Sequence, residues 1–166
     1  MNLSIGWADV RNYLIALVVF LAIDMLWLTV IAKQLYAEKL GYLMAPKANL
    51  LAALAFYLLF ILGLMVFVIQ PALASGNWLQ ALLAGLFFGL VTYATYDLTN
   101  LATIKDWPIL ITVLDLLWGS FVSGVTALLS FWIIRLFCSA CRRRRNPPPF
   151  FRCGCCRTPV RTETPF

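Results

Sequence analysis

Four long runs of apolar residues, separated by short polar segments, dominate the pattern of the chain. The runs cover about residues 13–32, 48–69, 78–100 and 109–136. Each is long enough to cross the hydrocarbon core of a bilayer as a helix, which takes about 20 residues. Since the connections are short, the pattern predicts an all-α integral membrane protein, a polytopic four-helix bundle.

Two of the polar connections carry structural signals of their own. Residues 33–47 combine lysines with apolar residues at helical spacing, which predicts a short helix at the membrane surface. The segment 70–77 contains Pro71, Gly76 and Asn77, and this composition is typical of a turn. The second and third helices are therefore expected to be antiparallel neighbours.

The composition supports the membrane class. Hydrophobic residues make up 63% of the chain and charged residues only 12%, whereas soluble domains are about 45–50% apolar and about 25% charged. The formal net charge of +6 is local, because seven of the thirteen basic residues lie between Arg142 and Arg161. The expected partner is therefore the lipid bilayer, and no nucleic-acid partner is predicted.

The residues available for chemistry are few. The sequence has no histidine, and all five cysteines lie at or after Cys138. Histidine is the commonest transition-metal ligand and the usual proton shuttle near neutral pH. Within the bundle this leaves carboxylates, tyrosines and lysines, so we predict no cofactor and assign no metal ligand.

The third apolar run ends in a stretch that is dense in polar side chains. Residues 93–105 contain two tyrosines, three threonines, an aspartate, an asparagine and a lysine. An ionisable residue at membrane depth costs roughly 2.5–3.5 kcal/mol on insertion scales, so it indicates a functional site. Small residues recur every four positions on the face that carries Asp97, namely Ala81, Gly85 and Gly89. Because small residues permit close packing, we expect the third helix to lie at the centre of the bundle.

The carboxylates of the apolar runs lie at matching depths. Asp24, Tyr57, Asp97 and Asp115 each lie eight to ten residues from a lysine of the connections on one side of the membrane. At about 1.5 Å per residue, all four lie roughly 12–15 Å from the same membrane face. This matching predicts one polar layer, made of Asp24, Tyr57, Tyr93, Tyr96, Asp97, Asn100, Lys105, Asp115 and Trp118.

The direction of two of these acids follows from helix periodicity. Asp97 shares its face with Gly89, and Asp115 shares its face with Gly119. Both are packing faces, so the two carboxylates are expected to lie about one side-chain length apart inside the bundle. Asp24 has no such stripe of small residues, and its direction is the least determined.

Neighbouring side chains are expected to complete the site. Tyr93 and Asn100 lie about one helical turn from Asp97, and both can donate a hydrogen bond to a carboxylate. Trp27 and Trp118 each follow an acid of the layer by three residues and are expected to form its walls.

Three carboxylates in one desolvated layer leave several interpretations open. Burial and like charge both disfavour the ionised form, so the cluster needs a cation, a proton or another partner. It is a site for a hard cation held by oxygen ligands, a proton acceptor, or an acid–base pair that acts on a substrate. The alternative is a hydrogen-bonded cluster that only holds the helices together, with Lys105 as an ion-pair partner.

Two functional hypotheses follow. In the first, the layer binds or processes a small or lipid-like substrate inside the membrane. In the second, the protein is a non-catalytic carrier subunit or assembly partner whose buried acids are structural. The sequence shows no hydrolase, transferase or redox motif, so it leaves open whether the protein is an enzyme, and it leaves the oligomeric state open.

The polar layer is built from a set of short motifs. They are Asp24-x-x-Trp27, Tyr36, Phe56-Tyr57, the run 93–108 and Asp115-x-x-Trp118-Gly119. Together they resemble domain-of-unknown-function family 2177, a group of small bacterial polytopic membrane proteins. The resemblance covers about residues 13–137. It implies a multi-pass protein of the bacterial inner membrane and supplies no reaction.

Residues 138–166 differ from the transmembrane domain, which we assign to residues 1–137. This basic tail is rich in cysteine, arginine and proline, a mixture that buries no core, so we expect it to be disordered. It is a zinc site, a polybasic segment that binds lipid headgroups, or a non-native C-terminus. The zinc interpretation rests on two Cys-x-x-Cys pairs, formed by Cys138, Cys141, Cys153 and Cys156.

The tail also decides the predicted membrane orientation. Basic residues are enriched on the cytoplasmic side of membrane proteins. With the tail included, both termini are predicted to be cytoplasmic. Without it, the lysines of the two connections on the opposite side outnumber Arg11 and Arg135, and the orientation reverses.

Overall fold

The computed structural model describes residues 6–43 and 49–143, which form helices joined by short turns. The first span is formed by α1 (Trp7–Leu26) and most of a π-helical turn (Trp27–Ile31), and α2 (Ala32–Leu40) continues the same helix beyond the span. The second consists of α3 (Leu50–Leu64), a second π-helical turn (Met65–Ile69) and α4 (Gln70–Ser75). The third is α5 (Trp78–Thr103) and the fourth is α6 (Ile109–Arg143).

Four helices are long and apolar enough to cross a membrane, which confirms the predicted all-α polytopic bundle. They cover Trp7–Val30, Leu50–Ser75, Trp78–Thr103 and Ile109–Ser139. The first begins at Trp7 rather than near residue 13, because Gly6 and Asp9 form its N-terminal cap. The last helix continues to Arg143, so the first residues of the predicted tail, 138–143, are helical.

The segment around Pro71 was predicted wrongly as part of a turn. Pro71 lies in the first turn of α4, where the missing N–H of proline breaks no hydrogen bond within that helix. The chain reverses only at Gly76 and Asn77. Gly76 has a φ of 69°, a left-handed conformation that glycine adopts without strain. The Asn77 side chain then accepts hydrogen bonds from the first N–H groups of α5, at 3.0 and 3.4 Å.

The closest helix pair is formed by α5 and α6. Ala81, Gly85 and Gly89 are buried in this interface, where the small-residue face of α5 meets α6. A Cβ atom added at Gly85 would lie 3.0 Å from the Cβ of Ala127. The two backbones therefore approach as closely as glycine permits.

The expectation that the third span occupies the centre of the bundle is wrong. The central helix is α6, which packs against the first, second and third spans. The small residues of α5 line one side only, so they permit one close neighbour. Its opposite side is apolar and exposed, with Leu83, Phe87 and Leu90 facing outward.

The second span diverges from the third. Near the Gly76 turn, α4 and the π-helical turn before it pack against α5. Further along, the backbone of α3 packs mainly against α1 and approaches α5 at few positions. Aromatic rings bridge the gap, with the Phe60 centroid 5.5 Å from that of Phe88 and 6.4 Å from that of Tyr93. Beyond this bridge, side chains of α3 and α5 line a common cavity.

The predictions for the C-terminal tail fall mostly outside the described residues. Cys138 lies in α6 and packs against the core of the bundle. The side chain of Cys141 and residues 144–166, with Cys153 and Cys156, are outside the described part of the chain. The zinc, lipid-binding and non-native interpretations therefore stay predictions, as does disorder beyond Arg143.

Candidate functional site

A cavity of about 430 Å³ lies where α3 and α5 diverge. All four spans and α2 contribute to its walls. The side chains that line it are carboxylates, aromatic rings, one threonine and one leucine: Asp24, Trp27, Leu28, Tyr36, Phe56, Tyr57, Phe60, Thr92, Tyr93, Tyr96, Asp97, Asp115 and Trp118.

The packing of α5 on α6 brings Asp97 and Asp115 to this cavity. The facing positions repeat every four residues, in pairs formed by Gly85 with Ala127, Gly89 with Ser123, and Tyr93 with Gly119. One turn further along α5, and one turn back along α6, the next pair is Asp97 with Asp115. Both acids line the cavity and both are buried.

Asp24 is held by side chains from two other spans. The Tyr57 hydroxyl of α3 donates a hydrogen bond of 2.7 Å to Asp24 Oδ2. The Trp118 indole N–H of α6 donates one of 3.3 Å to Asp24 Oδ1. Each oxygen of this buried carboxylate thus has a donor, and Asp24 ties α1 to α3 and α6.

Asp115 accepts a hydrogen bond from the Tyr36 hydroxyl of α2. Burial, and secondly the contact with Asp115, raise the pKa of Tyr36 above its usual value of 10.0. The phenol therefore stays protonated at neutral pH and remains a hydrogen-bond donor. This bond connects α2 to the central helix α6.

The π-helical turn explains how Tyr36 reaches the same cavity as Asp24. The two residues are twelve positions apart, and at 3.6 residues per turn they would point about 120° away from each other. A π-helical turn contains more residues than an α-helical turn, so Trp27–Ile31 reduces the accumulated rotation. The two side chains then lie on one side of the continuous helix formed by α1, the π-helical turn and α2.

Asp97 differs from the other two acids because no hydrogen-bond donor among the described residues reaches it. Its side chain is 0% exposed, and neither carboxylate oxygen has a hydrogen-bond partner among the described residues. The expectation that Tyr93 and Asn100 donate to Asp97 is therefore wrong. The Tyr93 ring packs across onto Gly119, and Asn100 does not line the cavity.

Lys105 does not join the site. It is exposed in the connection that follows α5, and it does not line the cavity. The helix ends at Thr103, and the chain then turns through Asp106, which has a left-handed φ of 59°. In the part of the chain that the structure describes, no basic side chain lines the cavity, so Lys105 is not the ion-pair partner of these acids.

The remaining predicted positions line the cavity, together with residues outside the predicted polar layer. Tyr57, Tyr93, Tyr96 and Trp118 lie in its walls. The Trp27 and Trp118 rings stack with centroids 4.2 Å apart and planes 9° from parallel. Phe56 and Phe60 were not predicted, although their spacing of one turn next to Tyr57 marks the inward face of α3. Leu28, Tyr36 and Thr92 were also not assigned.

A family model described as "Predicted membrane protein (DUF2177)" matches residues 10–132. The chain belongs to this family. The resemblance inferred from the short motifs is thereby confirmed. The matched range contains every residue that lines the cavity and ends before the basic tail. No curated protein and no solved structure matches the chain.

The DUF2177 chain is thus a multi-pass membrane protein with a cavity in its membrane-spanning part. Within residues 6–43 and 49–143, no group of three Asp, Glu, Cys or His side chains is placed so that it could hold one metal ion. The interpretation of the acids as ligands of one hard cation therefore has no geometric support.

In this DUF2177 protein, Tyr36→Phe is expected to change the dependence of stability on alkaline pH. The folded state holds the Tyr36 proton more tightly than the unfolded state, because its pKa is raised. The resulting stabilisation is complete below about pH 10 and is lost as the pH rises towards the raised pKa. Thermal unfolding in detergent should show the wild type losing more stability above about pH 10 than Tyr36→Phe. Parallel pH profiles of the two proteins would contradict this assignment.

Proposed function

We propose that this protein binds a small or lipid-like molecule in the cavity, with Asp97 as the polar anchor. The observation that carries the proposal is the Asp97 carboxylate, which is fully buried and lacks a hydrogen-bond partner within the described residues. A buried polar group without a partner costs about 1–3 kcal/mol. A molecule that donates a hydrogen bond to Asp97 removes this cost.

The size and lining of the cavity support an amphipathic molecule. Its volume of about 430 Å³ falls in the usual range of ligand sites, roughly 300–1,000 Å³. Aromatic rings provide most of its wall, while the acids lie on α1, α5 and α6. A ligand with an apolar body and a polar head fits this lining. Its body packs against the aromatic rings, and its head pairs with Asp97.

The gap between α3 and α5 supports entry from the lipid. Phe56 of α3 and Tyr96 of α5 line the cavity and are 49% and 61% exposed. Because the cavity lies within the membrane-spanning part, this opening faces the bilayer. A membrane-borne molecule can then enter sideways without crossing an aqueous phase.

We further propose that the protein lies in the bacterial inner membrane with both termini in the cytoplasm. The family resemblance supports a bacterial membrane. The seven basic residues between Arg142 and Arg161 support a cytoplasmic C-terminus, because basic segments are retained on that side. An even number of spans then puts the N-terminus on the same side.

The second hypothesis, in which the acids are purely structural, is favoured for two of them. Asp24 and Asp115 both accept hydrogen bonds from tyrosines on other helices. These bonds join α1 to α3 and α2 to α6. Asp97 makes no such bond in the described residues, so a structural role does not account for it.

Asp97→Asn is expected to reduce ligand occupancy about tenfold or more. The variant keeps the side-chain shape and removes the charge, and a hydrogen bond to a charged group is worth about 1.5–3 kcal/mol. The protein is purified in a mild detergent, and the molecules that remain bound are quantified by mass spectrometry after extraction.

Asp106→Asn is the matched control. Asp106 is exposed, lies in the connection after α5 and does not line the cavity. This variant makes the same chemical change and should retain wild-type occupancy. A wild type without any specific bound molecule, or equal occupancy in Asp97→Asn, would overturn the proposed function.

A further inference from the structure

The charges around the cavity have one sign. Three carboxylates line it, and among the described residues no lysine or arginine does. A phosphate or carboxylate headgroup would therefore meet acids and no counter-ion, an arrangement that like-charge repulsion disfavours. The lining thus selects against anionic lipids, which are common in bacterial membranes.

The three acids of the cavity also differ in the number of hydrogen bonds that they accept. Asp24 already accepts two hydrogen bonds, and Asp115 accepts one from Tyr36. The two free acceptors of Asp97 require donors. A single hydroxyl supplies one donor, whereas a protonated amine supplies three donors together with a full positive charge. Hydrogen bonds between charged partners are about twice as strong as neutral ones.

The aromatic walls of the cavity also favour a positively charged head group. The stacked indoles of Trp27 and Trp118, with Tyr93 and Phe60, present aromatic side chains to the cavity. A cation near an aromatic face is attracted by the electron-rich face of the ring, and more strongly when the cation is desolvated. Within the described residues the acids form no group of three that could hold a metal ion. An organic cation fills a volume of this size.

We propose that the ligand is a lipophilic amine, with a protonated amino head on Asp97 and an apolar chain that extends through the opening between α3 and α5. This inference rests on the proposed function and assigns the class of molecule that the site selects. Asp97 is the charge partner of the ammonium group, and the aromatic walls hold the first part of the chain.

Three probes with the same alkyl chain and different heads test this selectivity. Dodecylamine is cationic near neutral pH, 1-dodecanol is neutral and dodecanoate is anionic. Their dissociation constants are measured by calorimetry on the delipidated wild-type protein in one detergent. We expect dodecylamine to bind about tenfold more tightly than 1-dodecanol, and dodecanoate to bind most weakly.

Two variants separate recognition by Asp97 from partition into the micelle. In Asp97→Asn the preference for the amine over the alcohol should fall to about twofold or less, while Asp106→Asn should keep the wild-type preference. Equal binding of amine and alcohol to the wild type, or a preference that survives in Asp97→Asn, overturns the amine assignment.

The same purified proteins test the binding function and the amine assignment separately. If a co-purified molecule depends on Asp97 but the amine is not preferred, the proposed binding function stands and the amine assignment is wrong. If no molecule co-purifies and no probe binds the wild type above the micelle background, both are wrong.

Discussion

Gly89→Ala is expected to lower the free energy of unfolding of the bundle. Overpacking costs about 1–3 kcal/mol, and we expect a loss at the upper end of this range. A Cβ atom at Gly89 would overlap the backbone carbonyl of Gly119 and the hydroxyl of Ser123. Backbone atoms cannot move aside without shifting α6, the helix that contacts every other span. Alanine favours a helix over glycine by about 0.5–1 kcal/mol, which offsets only part of this loss.

Gly63→Ala provides the matched control. Its added Cβ atom would lie 3.0 Å from the tip of the Phe88 ring, a side chain that can rotate. Thermal unfolding in the same detergent should show Gly63→Ala within about 0.5 kcal/mol of the wild type. Gly89→Ala should also lose bound ligand, because Asp97 and Asp115 follow Gly89 in the same register. Equal unfolding temperatures of the two variants would mean that α5 and α6 are not in close contact at Gly89.

Asp24→Leu and Asp97→Leu are expected to change stability in opposite directions. Removing Asp24 leaves the Tyr57 hydroxyl and the Trp118 indole N–H without an acceptor. Each such buried donor costs about 1–3 kcal/mol. Removing Asp97 instead eliminates two buried oxygens that have no partner in the described residues, so the variant should gain about 1–3 kcal/mol.

This comparison requires delipidated protein, because a bound molecule could pair with Asp97 and mask the gain. The measurement is thermal unfolding of both variants and the wild type in one detergent. Glu38→Leu replaces an exposed carboxylate on α2 and should stay within about 0.5 kcal/mol of the wild type. A loss of stability in Asp97→Leu comparable to that in Asp24→Leu would show that Asp97 is structural. If removing an acid stabilises the protein, that acid is retained for function at the expense of stability.

The parts of the fold and of the candidate site that follow a regular period could be predicted from the sequence. Apolar runs of membrane length indicated four spans, and the four-residue stripe on α5 indicated the face that carries Asp97. Because α5 and α6 are regular helices in close contact, their stripes also indicated that Asp97 and Asp115 lie on one side.

Features that depend on a break in the period could not be predicted in this way. Tyr36 reaches the cavity only because the turn Trp27–Ile31 is π-helical, and a period of 3.6 residues directs it elsewhere. Pro71 was assigned to a turn because proline usually marks one, but it occupies the first turn of α4. The central position of α6 depends on which helices meet, and a stripe on one helix does not identify its partners.

The central position of α6 also has a consequence for biosynthesis. The chain is made from the N-terminus, so α1, α3 and α5 enter the membrane before the helix that contacts all of them. Without α6, Gly85 and Gly89 of α5 lack their close contacts, and Asp24 lacks the donor from Trp118. The connection between α5 and α6 is short, and the Trp107 indole N–H in it donates to Thr112 in the first turn of α6, at 3.0 Å. The fourth span is thereby held close to α5, its main partner.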